Sequence, residues 1–276
     1  SAATCAKEGV KTYTCSCGST YTEKIAKTAH KVVKDAAVKA TCTTAGRTEG
    51  SHCSVCGTVI TPVEEVPATG HWINRTVTVK ATSQKDGSIT KTCGTCGAVE
   101  TTVIYHPAQI VLEQKSYTYN GQEQKPSVVL RDSRGKQIKT TDYTVSYGNN
   151  KNAGNAKITV TLSGNYVGTM STTFKICPPG TQIVKLTRKS KGFQVKWKKQ
   201  TGQTSGYQIQ YSDSSKFQKK RTKTVDVSKK TSVSKGVKKL KAKKKYYVRI
   251  RTYKNVNGNT AKIYSGWSDV KTVVTK

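Results

Sequence analysis

The chain has 276 residues, of which 34% are apolar, and its formal net charge is +33. No apolar run approaches the roughly 18–20 residues that a membrane helix needs, and the alternation of Val, Ile, Thr and Tyr excludes collagen, coiled coil and wholesale disorder. The composition favours several thin β modules over one large core. The chain opens at Ser1 without methionine or a signal-type segment, so we interpret it as a fragment or processed form.

The first third of the chain is a repeat. Each copy opens with Ala-Thr-Cys or Ala-Thr-Ser and continues with a glycine, a close cysteine pair that ends in glycine, and a histidine. Self-similarity at this spacing indicates small stacked or strung units. The predicted units are residues 1–34, 35–74 and 75–107, the last one degenerate because Ser83 replaces the first cysteine.

Units this short bury too little apolar surface to fold alone, so they need a disulfide or a metal. Three thiolates and one imidazole complete a tetrahedral zinc site, and unit two supplies Cys42, Cys53, Cys56 and His71. His52 is a rival fourth ligand. The corresponding candidates are Cys5, Cys15, Cys17 and His30 in unit one, and Cys93, Cys96 and His106 in unit three. We therefore predict structural zinc, while disulfides, including bonds between units, and free thiols stay open as alternatives.

The order of these motifs resembles the cysteine-containing repeats of large surface proteins of gut Firmicutes. In those repeats an A-T-C…G…C-x-x-C-G…P-A-T-G-H pattern recurs in tandem, and Pro67–His71 is the best match here. The resemblance implies a location at the surface of a Gram-positive cell rather than a mechanism.

The middle of the chain alternates short apolar strands with Gly and Asn turns. Residues 117–176 resemble a repeated bacterial surface module, Ig-like or β-grasp-like, which predicts a domain over residues 108–177. Its Asp and Asn side chains could suggest a calcium cluster, but turn formation explains them better. These side chains are Asp142, Asn149, Asn150 and Asn165. Cys177, after the last strand, is expected to be a buried or linker thiol.

Residues 178–276 form the last predicted domain. Seven strands are predicted, with Trp197 as the core anchor on the second and with Leu240 and Tyr246 in the pattern of a tyrosine corner. The expected strands are 183–186, 192–197, 206–211, 222–227, 231–237, 246–252 and 267–274. In this pattern residues 180–276 resemble a fibronectin type III domain, and the resemblance implies a β-sandwich that binds or spaces and rarely catalyses.

This last segment holds 27 basic and three acidic residues, a net charge of +24. A domain with this charge attracts polyanions. A simpler explanation of the charge is that it keeps the protein soluble and protects exposed strand edges from pairing. The basic residues are mostly lysine with few adjacent aromatics, which disfavours nucleic acid as the partner.

No catalytic constellation stands in the sequence, because four histidines and fifteen scattered carboxylates offer no nucleophile or acid–base pair. We predict a mainly β, non-enzymatic protein: zinc-ribbon-like Cys repeats, an Ig-like or β-grasp-like module and a fibronectin type III sandwich in an elongated array. The expected role is an extracellular adhesin that binds a host glycoprotein, mucin or immunoglobulin. The alternatives are a stalk associated with anionic cell-wall polymers and, less favoured, nucleic-acid binding. No membrane insertion is expected.

Overall fold

The computed structural model describes residues 1–200 and 202–276 and is mainly β, as predicted. It divides into two compact units, residues 1–77 with 89–102 and residues 78–88 with 103–276. Among the described residues there is no helix with the length and apolar content for a membrane crossing. The finer division into five domains stays a prediction.

The Cys repeats consist of short antiparallel strands. β1 pairs with β2, β5 lies between β3 and β6, β4 pairs with β7, and β8, β9 and β10 form a sheet with β9 at its centre. The strands are β1 Gly9–Thr14, β2 Thr20–Ile25, β3 Val32–Asp35, β4 Gly46–Arg47, β5 Gly50–Cys53, β6 Val59–Thr61, β7 Glu65–Val66, β8 Ile73–Val79, β9 Gly87–Cys93 and β10 Val99–Ile104.

The first compact unit buries thiols in place of an apolar core. Apart from the half-buried Ile89, its Val and Ile side chains, among them Val32, Val59 and Ile73, are exposed. Within its described residues, the buried side chains of the apolar class are Cys5, Cys42, Cys53 and Cys93. Burial of hydrocarbon therefore contributes little to the stability of this unit.

The glycine that follows each Ala-Thr-Cys or Ala-Thr-Ser turn is fixed by a close backbone approach. A Cβ on Gly46 would collide with the backbone of Val38 and Ala40. Gly9 and Gly87 lie equally close to the backbone of their own turns. Only glycine allows this contact, which explains why the residue keeps the same place in all three repeats.

The middle module has two sheets around one core. β11 pairs with β13, and the second sheet has the order β12-β16-β15-β14, with β12 parallel to β16. The elements are β11 Pro107–Leu112, β12 Ser116–Thr118, β13 Val128–Asp132, a 3₁₀ helix at Thr140–Asp142, β14 Tyr143–Gly148, β15 Gly154–Leu162 and β16 Thr169–Cys177. The fully buried side chains at the centre are Leu130, Ala156, Ile158, Val160, Phe174 and Ile176.

The asparagines of the middle module shape its turns. Asn149 adopts φ 55° after β14. The side-chain amide of Asn150 donates to the Gln124 carbonyl at 3.0 Å, and the Gln124 amide donates to the Asn150 carbonyl at 2.7 Å. These features of Asn149 and Asn150 agree with the turn interpretation. Cys177 ends β16 half-buried, with its Sγ 3.3 Å from the Ser116 hydroxyl.

The last hundred residues form a sandwich of two sheets, β17-β18-β21 and β20-β19-β22-β23, with β24 also paired to β22. The elements are β17 Ile183–Lys189, β18 Gly192–Trp197, β19 Gly206–Ser212, a 3₁₀ helix at Lys219–Arg221, β20 Thr222–Val227, β21 Ser234–Val237, β22 Lys245–Val256, β23 Ala261–Tyr264 and β24 Lys271–Val274.

The sandwich has one strand more than the sequence predicted. The expected final strand 267–274 is present in shorter form as β24, which pairs with the start of β22, and the additional strand is β23, which pairs with the end of β22. Between them the Ser265 and Ser268 hydroxyls accept hydrogen bonds from the Thr252 and Ile250 amides, both at 3.0 Å. Two hydroxyls therefore replace the backbone carbonyls of a continuous strand.

Arginines on the outer face of β22 are stacked between aromatic rings. Arg249 lies 4.1 Å from the Phe217 ring centroid and 4.4 Å from that of Trp267. Arg251 lies 4.2 Å from the Trp267 centroid and 3.7 Å from that of Tyr264. The guanidinium groups cover the rings and hold the face together by cation–π attraction.

The core of the sandwich is aromatic. Trp197 is buried, as predicted, with its ring centroid 5.1 Å from that of Tyr207. Tyr246 is also buried, and it packs against Phe193 and Tyr211. Its hydroxyl makes no hydrogen bond to any residue that the structure describes, so Tyr246 contributes through packing rather than through the bond of a tyrosine corner.

Tyr207→Phe is expected to destabilise the sandwich by about 1–3 kcal/mol, the usual cost of leaving buried polar groups unpaired. The Tyr207 hydroxyl accepts from the Gln200 amide at 2.8 Å and has the Gln200 and Lys230 carbonyls as acceptors, each at 2.9 Å. Hydrogen exchange of the β19 amides measures the loss. Tyr247→Phe is the control, and equal exchange in the two variants would contradict the prediction.

Candidate metal centres

Two groups of three cysteines and one histidine converge in the first compact unit. In each group all four donor atoms lie within 4.8 Å of one another. The two groups are Cys5, His30, Cys53 and Cys56, which we call centre A, and Cys42, His71, Cys93 and Cys96, which we call centre B. Each centre takes a cysteine and the histidine from one repeat and a Cys-x-x-Cys pair from the next.

The Cys-x-x-Cys-Gly turn, which we call the knuckle, joins two strands of a hairpin. At centre A, Cys53 ends β5, and its amide donates to the Thr58 carbonyl at 2.9 Å. Gly57, at φ 73°, closes the turn by donating to the Cys53 carbonyl at 2.8 Å. The knuckle of centre B repeats these bonds from Cys93 to Ala98 and from Gly97 to Cys93. The hairpin thus points both thiols of each pair to one side.

An edge strand brings the histidine to the knuckle of the next repeat. Two residues after His30 the chain enters β3, which pairs with β5 so that Val32 faces Cys53. The Ser54 amide also donates to the Lys31 carbonyl at 3.0 Å. At centre B the Gly94 amide makes the same bond to the Trp72 carbonyl at 2.9 Å. Backbone pairing therefore places each imidazole beside thiols that are distant in sequence.

The Ala-Thr-Cys turn supplies the remaining thiol. The Thr4 hydroxyl accepts from the Lys7 amide at 3.0 Å, which holds the turn that presents Cys5. The Thr28 amide then donates to the Thr4 carbonyl at 3.2 Å and fixes the turn to the segment that leads to His30. The threonine is therefore a positioning residue, a role that its place in all three repeats signals in the sequence.

The donor geometry fits zinc. The Sγ atoms of Cys5 and Cys53 are 3.8 Å apart, and those of Cys42 and Cys93 are 3.9 Å apart. Tetrahedral zinc with Zn–S bonds of about 2.3 Å separates two thiolates by about 3.8 Å. In both centres a histidine Nδ1 lies 3.3 Å from the nearest Sγ of the knuckle. All nine cysteines are free, so these distances match shared coordination rather than disulfide bonds.

The knuckle favours thiolates. Burial opposes the ionisation of Cys53, but the backbone amides of Cys56 and Val55, together with His30, lower its pKa to about 5. The Cys96 amide lowers the pKa of Cys93 to about 5 against the effect of burial. Because zinc binds the thiolate form, the first cysteine of each knuckle is prepared for a metal at neutral pH.

The turn cysteines show the opposite effect. The thiols of the knuckle, first that of Cys56, and burial raise the pKa of Cys5 to about 11. Burial is the main cause that raises the pKa of Cys42. A third thiolate crowded against the first two is unfavourable without a cation between them, so each cluster as a whole has the electrostatics of a cation site.

The structure corrects the predicted grouping of ligands. Cys42, Cys53, Cys56 and His71 were expected to share one site, yet Cys42 and His71 belong to centre B, whereas Cys53 and Cys56 belong to centre A. The same correction applies to unit one, because Cys5 and His30 lie away from Cys15 and Cys17. The reason is the edge strand after each histidine, which crosses into the next repeat.

Two histidines among the candidates face carboxylates instead of thiols. The Nδ1 atom of His52, the rival ligand, lies 2.9 Å from Asp35, across the β3–β5 pair. In the third repeat His106 lies 2.6 Å from Asp86, and its backbone amide donates to the same oxygen. That amide and then the imidazole lower the pKa of the Asp86 carboxyl. Repeats one and two each contribute a turn cysteine and a histidine, the half-site, to a candidate metal centre. Repeat three has Ser83 in place of the cysteine, and its histidine contacts Asp86 instead.

The assignment of the last segment follows from a family comparison. Residues 177–265 match the fibronectin type III domain family. The sandwich is a fibronectin type III domain. The match covers about a third of the chain and does not extend to the Cys repeats or the middle module. No curated protein matches the chain.

Two solved structures are similar to this chain at low identity. Domains FN1–FN3 of chicken CNTN1 are 11% identical, with a TM-score of 0.31, and the alignment covers 89% of this chain and 98% of that one. Titin domains A168–A170 are also 11% identical, with a TM-score of 0.25 and coverage of 90% and 98%. These scores are too low to establish a shared arrangement, so the fibronectin type III assignment depends on the family match.

Paired substitutions distinguish the two ways of grouping the ligands. Cys42→Ser with Cys53→Ser removes one donor from each centre and is expected to abolish both zinc equivalents. Cys42→Ser with Cys93→Ser damages centre B alone and is expected to leave one equivalent. Metal analysis of the purified, reduced protein gives the count, and Cys177→Ser is the control that keeps two. One zinc retained by the first double variant would contradict the grouping.

Proposed function

We propose that the chain is a non-catalytic, extracellular surface protein in which zinc ions brace consecutive Cys repeats and so support the modules that follow. The observation that carries this proposal is the division of each centre between two repeats. An ion held by Cys5 and His30 on one side and by Cys53 and Cys56 on the other connects those repeats directly. The ion thus cross-links the two repeats.

A structural role fits the ligand set better than a catalytic one. Four protein donors fill a tetrahedral zinc site, whereas catalytic zinc keeps a position open for water or substrate. Binding of structural zinc contributes on the order of 10 kcal/mol, comparable with the whole stability of a small domain. This amount is enough to fold a unit whose buried apolar-class side chains are cysteines.

The extracellular, bacterial-surface placement is supported by two features of the chain. One is the fibronectin type III domain, a type of module that is often extracellular. The other is the resemblance of the Cys repeats and of residues 117–176 to surface modules of Gram-positive bacteria. A host glycoprotein or immunoglobulin as the partner stays a prediction.

Removal of zinc is expected to loosen the Cys repeats and leave the fibronectin type III domain intact. Limited proteolysis with and without a chelator, under reducing conditions, checks this expectation. Cleavage within residues 1–102 should accelerate on chelation, because the repeats lose their main source of stability, while cleavage within residues 178–276 should not. The fibronectin type III domain is the internal control. Unchanged resistance of residues 1–102 after the metal has left would refute the bracing role.

A second candidate function is the binding of an anionic cell-wall polymer. The fibronectin type III domain has an open cavity of about 610 Å³ lined by Lys189, Lys191, Lys238 and Lys239 over Phe193 and Val237. An adjoining cavity of about 360 Å³ shares Lys239 and adds Lys220, Lys223 and Lys241, together with Asp213, which is paired with Arg221. Clustered positive charges attract the negatively charged phosphates of such a polymer.

Charge reversal tests this surface. Lys191→Glu with Lys239→Glu is expected to weaken binding to soluble teichoic acid and to lower the slope of log affinity against log salt by roughly 1–2, since two phosphate contacts are lost. Lys185→Glu with Lys196→Glu changes the net charge equally on the same two strands, β17 and β18, at positions that do not line the cavities. Equal loss in both variants would show that binding responds to net charge alone and would exclude this site.

A further inference from the structure

In the described part of the chain, β1 of repeat one lacks the edge strand that pairs with its counterparts β5 and β9 in the later repeats. β5 pairs with β3 on one side and β6 on the other, and β9 likewise lies between β8 and β10. In the described residues β1 pairs with β2 only. On its other edge Val10 is bonded to Ser1, and the free edge that remains, from Thr12 to the knuckle, corresponds to the edge that β3 and β8 occupy in the later repeats. An exposed, unpaired edge is a template for another strand.

The knuckle of repeat one, which follows β1, keeps the backbone hydrogen bonds of the later knuckles. The Cys15 amide donates to the Ser19 carbonyl at 2.8 Å, and the Gly18 amide donates to the Cys15 carbonyl at 2.9 Å, with Gly18 at φ 82°. The later knuckles close in the same way with one residue more. Cys15 and Cys17 are both exposed, whereas Cys53 is buried in its completed centre. Repeat one therefore has a cysteine pair without the half-site that covers the others.

The other two centres show which kind of segment would bind to the free edge of β1 and to the thiols of Cys15 and Cys17. In centres A and B the occupant of this position is a histidine followed two residues later by an edge strand, together with the cysteine of an Ala-Thr-Cys turn. The stacked rings of Tyr13 and Tyr21, 4.9 Å apart, line a cavity of about 320 Å³ next to Cys15. Strand pairing and metal coordination thus point to the same place.

We propose that the free edge of β1 and the thiols of Cys15 and Cys17 form an acceptor site for a further Cys repeat, joined through a shared divalent metal and an added strand. The proposal rests on the bracing function above and extends it to a partner. The partner must supply a free cysteine and a free histidine that precedes a strand.

A second copy of this chain is not that partner. Cys5 with His30 and Cys42 with His71 already complete centres A and B. The third repeat has Ser83 where the thiol should stand, and His106 is held by Asp86. The acceptor therefore selects a Cys repeat from outside these residues, with an intact Ala-Thr-Cys turn and an unengaged histidine.

Cadmium titration of the reduced full chain tests the thiol half of the proposal, because cadmium replaces zinc at thiolate sites and its thiolate bonds absorb in the ultraviolet. Two equivalents are expected at centres A and B, followed by a third, weaker one. Cys15→Ser with Cys17→Ser should lose the third equivalent alone, and Cys177→Ser should lose none. Absence of a third equivalent, or its persistence in the double variant, overturns the proposal. Failure of the first two equivalents counts instead against the bracing function.

A peptide of residues 26–36 tests the strand half, since it carries His30 and the sequence of β3. With cadmium at the third site, the peptide is expected to slow hydrogen exchange of amides in β1. A peptide with His30→Ala, and the full chain with Cys15→Ser and Cys17→Ser, should show no such protection. Unchanged exchange in the wild-type chain at saturating peptide overturns strand docking at this edge.

Discussion

The Cys repeats bury thiols where most small domains bury hydrocarbon, and this substitution governs the first compact unit. Its valines and isoleucines lie on open strand faces, and Cys5, Cys42, Cys53 and Cys93 occupy the interior. Thiols packed at coordination distance repel one another once they ionise, so a cation bound between them would stabilise this interior. The hairpins, the threonine-held turns and the tight glycines all serve to hold these sulfur atoms in place.

Much of the candidate site could be predicted from the sequence, but its connectivity could not. The spacing identified every donor of centres A and B. In a tandem repeat with four donors per unit, however, the sequence pattern is the same whether each metal site lies within one unit or between two units. The decisive contact is the pairing of Val32 with Cys53, a backbone register that the sequence pattern does not encode.

The sequence nevertheless contained a signal of the grouping seen in the structure. The repeat that lacks its turn cysteine, at Ser83, keeps an intact knuckle at Cys93 and Cys96, and the repeat with the altered knuckle, at Cys15 and Cys17, keeps Cys5 and His30. The two halves vary independently, as expected if they serve different sites. In the fibronectin type III domain, alternation located the strands, but the serine hydroxyls that interrupt the last one act through side chains that resemble ordinary turn residues.

The division of each centre between neighbours also bears on how such chains change length. If the middle repeat is duplicated or deleted, each Cys-x-x-Cys knuckle still meets a turn cysteine and a histidine, because repeats one and two supply the same turn cysteine and histidine and repeats two and three supply the same knuckle. A recombination point within a repeat would instead leave metal ligands on both sides of it without their partner ligands. Gene duplication and recombination in multiples of one repeat can therefore lengthen or shorten the protein without redesigning any coordination sphere.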